Sequence, residues 1–346
     1  MKLPPSRIPA PIDAPAIRWG ILAPGSIANV FAQAVAIGTT SKVVAVGSRS
    51  FGRARAFADR HSIDTAYGSY EDLVSDDKID AIYVASPHSK HRAHAELAIR
   101  SGKPVLLEKA FTRNATEARE LVDLARESRV LLAEAMWSRY LPHYDIVLRA
   151  VQEGLLGDVR AVFADHGQRL WPDGPDRLSR PELAGGSLLD LGVYPVSFAD
   201  HILGEVSSIA ATGTLTDQGV DASANAILAT ECGAHAILSS TMAATTPTTA
   251  VVAGTEARIE LDGRFYLPTS VRLIGADGTV HDESQNTVPN IAHGFSYEAA
   301  EVARALFESR LETRSMPHEA TLRVMETLDE IRRHIGVHYP GEDLAS

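Results

Sequence analysis

Two short stretches of this chain carry residues suited to moving a proton. Glu108-Lys109-Ala110 follows a strand-like apolar run, and Asp190-Leu191-Gly192-Val193-Tyr194 follows Gly185 and Gly186. A lysine, a carboxylate and a phenol gathered at one place form an acid/base set, because a neighbouring ammonium favours an ionised phenol and a carboxylate can orient that ammonium or a substrate hydroxyl. Free tyrosine ionises only at about pH 10, so Lys109 is expected to be the group that lowers Tyr194. If the segment after Gly186 is helical, Asp190 and Tyr194 lie one turn apart on the same face. The paired glycines would let the backbone come close to a substrate. Lys109, Tyr194 and Asp190 are therefore the candidate catalytic residues.

The elements that must position them alternate. Ile17 to Leu22 reads as a short apolar strand, Ala23 to Ala28 as a turn, the run from Asn29 as a helix, and Lys42 to Gly47 as a second strand. Helix over Arg53 to Arg60, strand over Ile79 to Ala85, helix over His91 to Ser101 stopped by Gly102, and strand over Val105 to Leu107 continue the pattern. Helix over Glu117 to Ser128 and strand over Val130 to Ala133 complete it. This alternation predicts an α/β Rossmann fold, a doubly wound parallel sheet, across residues 17–141.

After Pro142 the period changes. Val159 to His166, Val206 to Leu215, Ala222 to Thr230, His235 to Thr241, Thr249 to Val252 and Arg258 to Leu261 read as strands separated by turns, and two helices follow, Ser296 to Ser309 and Glu319 to His334. A C-terminal α+β domain with a mostly antiparallel sheet is expected over residues 142–338, followed by a tail at 339–346. Residues 1–16 are proline-rich and predict an exposed arm, which can reach a neighbouring copy.

The turn after the first strand identifies the ligand of the first domain. The dinucleotide-binding pattern G-x-G-x-x-G/A becomes Ala23-Pro24-Gly25-Ser26-Ile27-Ala28, with Gly25 retained where the backbone must approach a pyrophosphate and the helix start free to receive its charge. No acidic residue occurs between Asp13 and Asp59, so the second strand offers no carboxylate to a ribose 2′-hydroxyl. Ser48, Arg49 and the nearby Arg53 would suit a 2′-phosphate instead. NADP is expected, with NAD possible. A bound nicotinamide would exchange a hydride with the carbon whose hydroxyl proton Tyr194 handles.

The Ala23–Ala28 turn, Ser86-Pro87-His88-Ser89-Lys90-His91, Glu108-Lys109-Ala110, Gly185 to Tyr194 and His318-Glu-Ala-Thr-Leu322 together resemble the superfamily of glucose-fructose oxidoreductase, inositol dehydrogenase and MocA. Glu134-Ala-Met-Trp137-Ser-Arg139-Tyr-Leu-Pro142 combined with Tyr194 is similar to the subgroup that contains dimeric trans-dihydrodiol dehydrogenase. The resemblance implies an NADP-dependent oxidoreductase acting on a secondary alcohol or carbonyl of a sugar, polyol or cyclic diol. It also implies cofactor contacts from Ser86, Pro87, His88, His91, Glu108 and Lys109, and a homo-oligomer, dimer or tetramer, joined through the open face of the second sheet. The family's Glu-Lys-Pro is Glu-Lys-Ala here, and its common Asp-x-x-x-His is Asp190-x-x-x-Tyr194, which is the subgroup's own pattern. Trp137, Arg139, His166 and Trp171, beside Tyr194, are the candidate substrate-binding residues, since aromatic faces pack well on a sugar or ring diol.

Composition bounds the alternatives. A formal net charge of -11 argues against nucleic acid or an anionic membrane surface as partner. The single cysteine, Cys232, excludes a disulfide framework and a cysteine zinc site, and a buried thiol in a reducing, cytoplasmic setting is expected. His88, His91 and His94 have a metal-like spacing with no Cys or Asp nearby to complete a site, so no metal is assigned. No tyrosine is followed four residues later by lysine, which disfavours the short-chain dehydrogenase arrangement. Two other readings stay open: a noncatalytic NADP-binding sensor, and an enzyme whose tightly held cofactor cycles between two substrates.

Overall fold

The structure, a computed structural model, describes residues 1–342; residues 343–346 of the expected tail lie outside it. In the first half, β1 (Arg18–Leu22), α1 (Ser26–Gly38), β2 (Lys42–Gly47), α2 (Phe51–His61), β3 (Thr65–Tyr67), α3 (Tyr70–Val74), β4 (Ala81–Val84), α4 (His91–Arg100), β5 (Val105–Glu108), α5 (Ala115–Ser128) and β6 (Leu132–Ala135) follow one another. The six strands pair in parallel in the order β3-β2-β1-β4-β5-β6. Trp19, Ile21 and Leu22 are all fully buried, because helices cover both faces of a parallel sheet and a strand there is apolar throughout rather than alternating. The order reverses between β1 and β4, which opens a crevice at the carboxyl ends of the strands.

The second half holds α6 (Pro142–Gln152), β7 (Val159–Gly167), α7 (Val193–Leu203), β8 (Ser208–Leu215), β9 (Asp221–Ala229), β10 (His235–Thr241), β11 (Ala250–Gly254), β12 (Ala257–Leu261), β13 (Val271–Gly275), β14 (Val280–Ser284), α8 (Ile291–Phe307) and α9 (His318–Ile335). Its sheet runs β14-β13-β12-β11-β7-β10-β9-β8, and every pair is antiparallel except β7 with β10. One face packs on α7 and α9. The other stays open and carries Phe163, Ile227 and Ile237 in register across three neighbouring strands.

Several elements differ from expectation. The strands β3, β13 and β14 are short or polar-flanked and carry too little apolar periodicity to stand out. Helix α8, expected within the second domain, lies against α1, with Ala299, Val302 and Ala305 packed among Phe31 and Val35. The N-terminal arm is docked on its own chain rather than extended. Arg7 makes a two-nitrogen ion pair with Asp145, Leu3 N donates to Asp282, and Arg304 donates to the Ala10 carbonyl. Cys232 is exposed, not buried, because it sits in the turn between β9 and β10.

Candidate active site

A cavity of about 610 Å³ occupies the crevice and extends beneath the second sheet. Its nucleotide half is lined by the turn before α1, the end of β2 and the loop after β4, which bring together Ala23, Gly25, Ser26, Ile27, Ser48, Arg49, Arg53, Ser86, Pro87 and His88. Helix α1 starts with no side-chain cap, so its first N–H groups are available to an anion. A Cβ on Gly25 would meet only Ala85 O, at 3.9 Å, and otherwise project into open space where a ligand backbone can lie. Ser86 Oγ is buried with no hydrogen-bond partner among the described residues. These three features fit a dinucleotide. Arg49 and Arg53 are exposed and have no carboxylate within ion-pair distance among the described residues.

The other half is built from two chain reversals. Strand β5 ends at Glu108, buried and pushed above the ordinary carboxylate range by burial, with Tyr83 donating its hydroxyl hydrogen to it. Lys109 follows, and the Lys109–Ala110 peptide is cis. Across the cavity, Gly186 has a φ of +107°, and a Cβ there would lie 2.1 Å from Asp221 Oδ1. That freedom lets Asp221 accept from Ser187 Oγ at 2.8 Å and from Leu188 N at 2.6 Å, which caps the segment that follows. Residues Leu188–Gly192 then form a π-helical turn running into α7, so Asp190 and Tyr194 both face the cavity. Such single π turns recur at functional sites.

The Lys109 ammonium donates to the Asp190 carbonyl oxygen at 2.7 Å, lies 4.0 Å from Asp190 Oδ1, and sits over the Tyr194 ring 4.7 Å from its centroid. Arg177 donates to Asp190 Oδ1 at 2.9 Å. Burial pushes Asp190 up, but Lys109 and Arg177 overcome it and hold the carboxyl at about 2. Burial lowers Lys109 below the ordinary amine range. Burial, then the neighbouring Glu108, pushes the Tyr194 phenol well above its ordinary value. The expected lowering of Tyr194 by Lys109 is thus corrected: in a buried site the loss of hydration outweighs an ammonium stationed over the ring face. Trp137 Nε1 donates to Tyr194 Oη at 3.2 Å, which leaves the phenolic hydrogen free to donate.

An aromatic wall closes this half. Trp137 stacks on Phe295 with centroids 4.2 Å apart, and Tyr266 lies 4.4 Å from His166 and 4.5 Å from Tyr194. Burial and Lys109 lower His166 to about 4, so its ring is neutral.

Three expected site residues are placed elsewhere. Arg139, 4% exposed, turns away from the cavity into an ion pair with Asp200 at 2.6 Å and a bond to Ser197 Oγ at 2.9 Å. His91, fully buried, sets its ring between the Ser86 carbonyl on the Nε2 side and the Ala110 and Phe111 carbonyls on the Nδ1 side, donating through the nitrogen that carries its proton, and so lies between the loops behind the cavity instead of lining it. Trp171 packs against the core while its neighbour Leu170 reaches the cavity. Conversely, Arg177, Gln168, Tyr266 and Phe295 line the cavity without having been singled out. Arg177 lies in the long connection between β7 and α7, and a loop of that length is itself a functional signal. No pattern marks the two aromatics.

Among the described residues no helix is long and apolar enough to cross a membrane. Residues 17–136 match the oxidoreductase family with an NAD-binding Rossmann fold, and residues 144–260 match the GFO/IDH/MocA C-terminal domain. The chain is 36% identical to trans-1,2-dihydrobenzene-1,2-diol dehydrogenase of Xenopus tropicalis, over 94% of this chain and 100% of that one. Against the Homo sapiens enzyme of the same name the identity is 33%, over 94% and 98%. The 3-ketoreductase KijD10 of Actinomadura kijaniata, solved with NADP and TDP-benzene, superposes with a TM-score of 0.82 at 28% identity, covering 93% of this chain and 98% of that one. With a parallel dinucleotide-binding sheet, a cavity that fits the cofactor and full-length relatives of this kind, the chain belongs to the GFO/IDH/MocA family of nicotinamide-dependent oxidoreductases.

Proposed function

We propose that this protein is an NADP-dependent oxidoreductase that interconverts a secondary alcohol and its carbonyl on a sugar, polyol or cyclic diol. Bound nicotinamide supplies or takes the hydride. In the reductive direction Tyr194, a neutral phenol with a free hydrogen, donates its proton to the substrate oxygen as that oxygen gains charge. Lys109 stabilises the phenolate this leaves, and Asp190 with Arg177 fixes the ammonium in place. Oxidation reverses both transfers. Trp137, Phe295, His166 and Tyr266 offer apolar faces to the ring and exclude water.

The observation that carries this reading is the meeting of Lys109, Asp190 and Tyr194 in one cavity with the nucleotide turn. The relatives' names, a diol dehydrogenase and a sugar ketoreductase, support the substrate class. Arg49 and Arg53 support NADP, because two guanidinium groups with no carboxylate partner among the described residues line the cavity near the end of β2, where an acidic residue would otherwise hold a ribose hydroxyl. The apolar row of Phe163, Ile227 and Ile237 supports a homo-oligomer through the open sheet face, which light scattering measures directly.

Reduced-nicotinamide absorbance with NADP and NAD against aldoses, inositols and cyclic diols tests the assignment. Turnover with NADP is expected. Tight NADPH binding with no turnover of any of these would overturn it, and retention of cofactor through desalting would redirect it towards a cycling enzyme.

A further inference from the structure

We infer that the segment after α9, residues 337–342, ties together the two loops that bear Lys109 and Tyr194, and that Tyr339 is the positioning residue through which it sets Asp190 and Tyr194 against Lys109. The catalytic consequence rests on the oxidoreductase reading above; the placement does not.

Buried charge holds the segment in place. Gly336 ends α9 with φ at +76°, and the chain folds back so that Arg332, fully buried on α9, lies over the Tyr339 ring with its guanidinium carbon 4.1 Å from the centroid. Arg332 also pairs with Glu342, whose carboxylate accepts from Tyr339 N at 2.8 Å. From there hydrogen bonds run to both loops. In the loop that follows Lys109, the Arg113 carbonyl accepts from Arg332 at 2.7 Å, Arg113 donates to the Pro340 carbonyl at 3.0 Å, and Asn114 Nδ2 donates to Glu342 at 3.1 Å. On the tyrosine side, Tyr339, itself buried, donates its hydroxyl hydrogen to the Gly185 carbonyl at 2.7 Å.

That carbonyl belongs to the peptide joining Gly185 to Gly186, whose rotation no Cβ restrains on either side. Its N–H end donates to the Leu178 carbonyl at 2.8 Å, and Tyr339 bonds the other end. With both ends bonded the peptide plane is fixed. Fixed with it is the +107° φ of Gly186, which brings Ser187 and Leu188 onto Asp221 and starts the turn that leads to Asp190 and Tyr194. Removing the hydroxyl leaves a buried carbonyl without that partner and lets the peptide turn. Tyr339 does not line the cavity, so it acts only through this turn.

The full chain, wild type and Tyr339→Phe, is compared by amide hydrogen exchange, by NADPH titration and by steady-state reduction, the last also in a Tyr194→Phe background. Phenylalanine keeps the ring beneath Arg332. Exchange over residues 186–192 is expected to quicken about 10-fold while α9 and both sheets are unchanged, and kcat to fall about 10-fold with NADPH affinity within about 2-fold. Most of the kcat loss should vanish once Tyr194→Phe has removed the proton donor, since a group that acts by aligning Tyr194 then has nothing to align. Exchange that is unchanged over 186–192 or raised throughout the chain, an unchanged kcat, or an equal kcat loss in both backgrounds would each overturn the inference. Quickened exchange confined to 186–192, in a chain that turns over no carbonyl substrate, would sustain the positioning and count against the oxidoreductase reading alone.

Discussion

The Lys109 ammonium lies over the face of the Tyr194 ring, 4.7 Å from its centroid, and makes no hydrogen bond to the Tyr194 hydroxyl. Among the described residues the phenol takes its one hydrogen bond from Trp137, and the lysine donates a hydrogen bond to the Asp190 carbonyl. Such an arrangement keeps the resting tyrosine neutral, the form in which the proposed mechanism uses it as an acid. The ammonium gains most when charge appears on the phenol, which is where a catalyst should place its favourable interaction.

Replacing Tyr194 by Phe keeps the ring and removes the hydroxyl, which is the proposed proton donor and the acceptor of the Trp137 hydrogen bond. Turnover in reduction is expected to fall about 10²- to 10⁴-fold, with NADPH affinity unchanged. Steady-state rates beside a cofactor titration check this.

The alkaline limb of the reduction reports Lys109. Burial lowers its pKa, and the proposed mechanism uses the charged form, so the rate is expected to be full below that lowered value and to fall as pH rises through it. Asp190 raises the Lys109 pKa, so Asp190→Asn should move the limb to lower pH. A limb of kcat/KM that stays in place would separate Asp190 from Lys109.

Cofactor choice should reside in Arg49 and Arg53. Alanine at either position is expected to weaken NADP about 10- to 100-fold while leaving NAD nearly unchanged, since charge-assisted contacts to a phosphate are lost. Equal effects on the two cofactors would place these side chains outside the 2′-phosphate site.

Arg139 belongs to stability. Arg139→Met should destabilise the fold by about 3 kcal/mol, because it breaks a buried ion pair, although Arg323 at 2.7 Å still serves Asp200. Denaturant unfolding measures the loss, and an unchanged substrate KM distinguishes it from a binding role.

Ala23 occupies the left-handed region, with φ at +73°, where the nucleotide pattern normally has glycine. Relief of the Cβ clash in Ala23→Gly is worth about 1 kcal/mol, and the added freedom of the unfolded chain takes back a similar amount. The urea midpoint should therefore hardly move.

The sequence by itself determined the elements whose signal is local. Continuous apolar runs marked β1, β4 and β5, the Ala23–Ala28 turn marked one side of the crevice, and the joint pattern of Lys109, Asp190 and Tyr194 picked out three residues that line the same cavity. Periodicity and spacing record which face of an element is buried and how far apart two residues sit along it. They do not record which elements meet. Only the tertiary structure turned Arg139 into the core and His91 onto backbone carbonyls, and brought Arg177, Gln168 and Tyr266 to the cavity from loops and strand ends distant in sequence. It also reversed the electrostatics of Tyr194. A pKa depends on how much water a group loses as well as on who its neighbours are, and burial is settled by the packing of the whole chain.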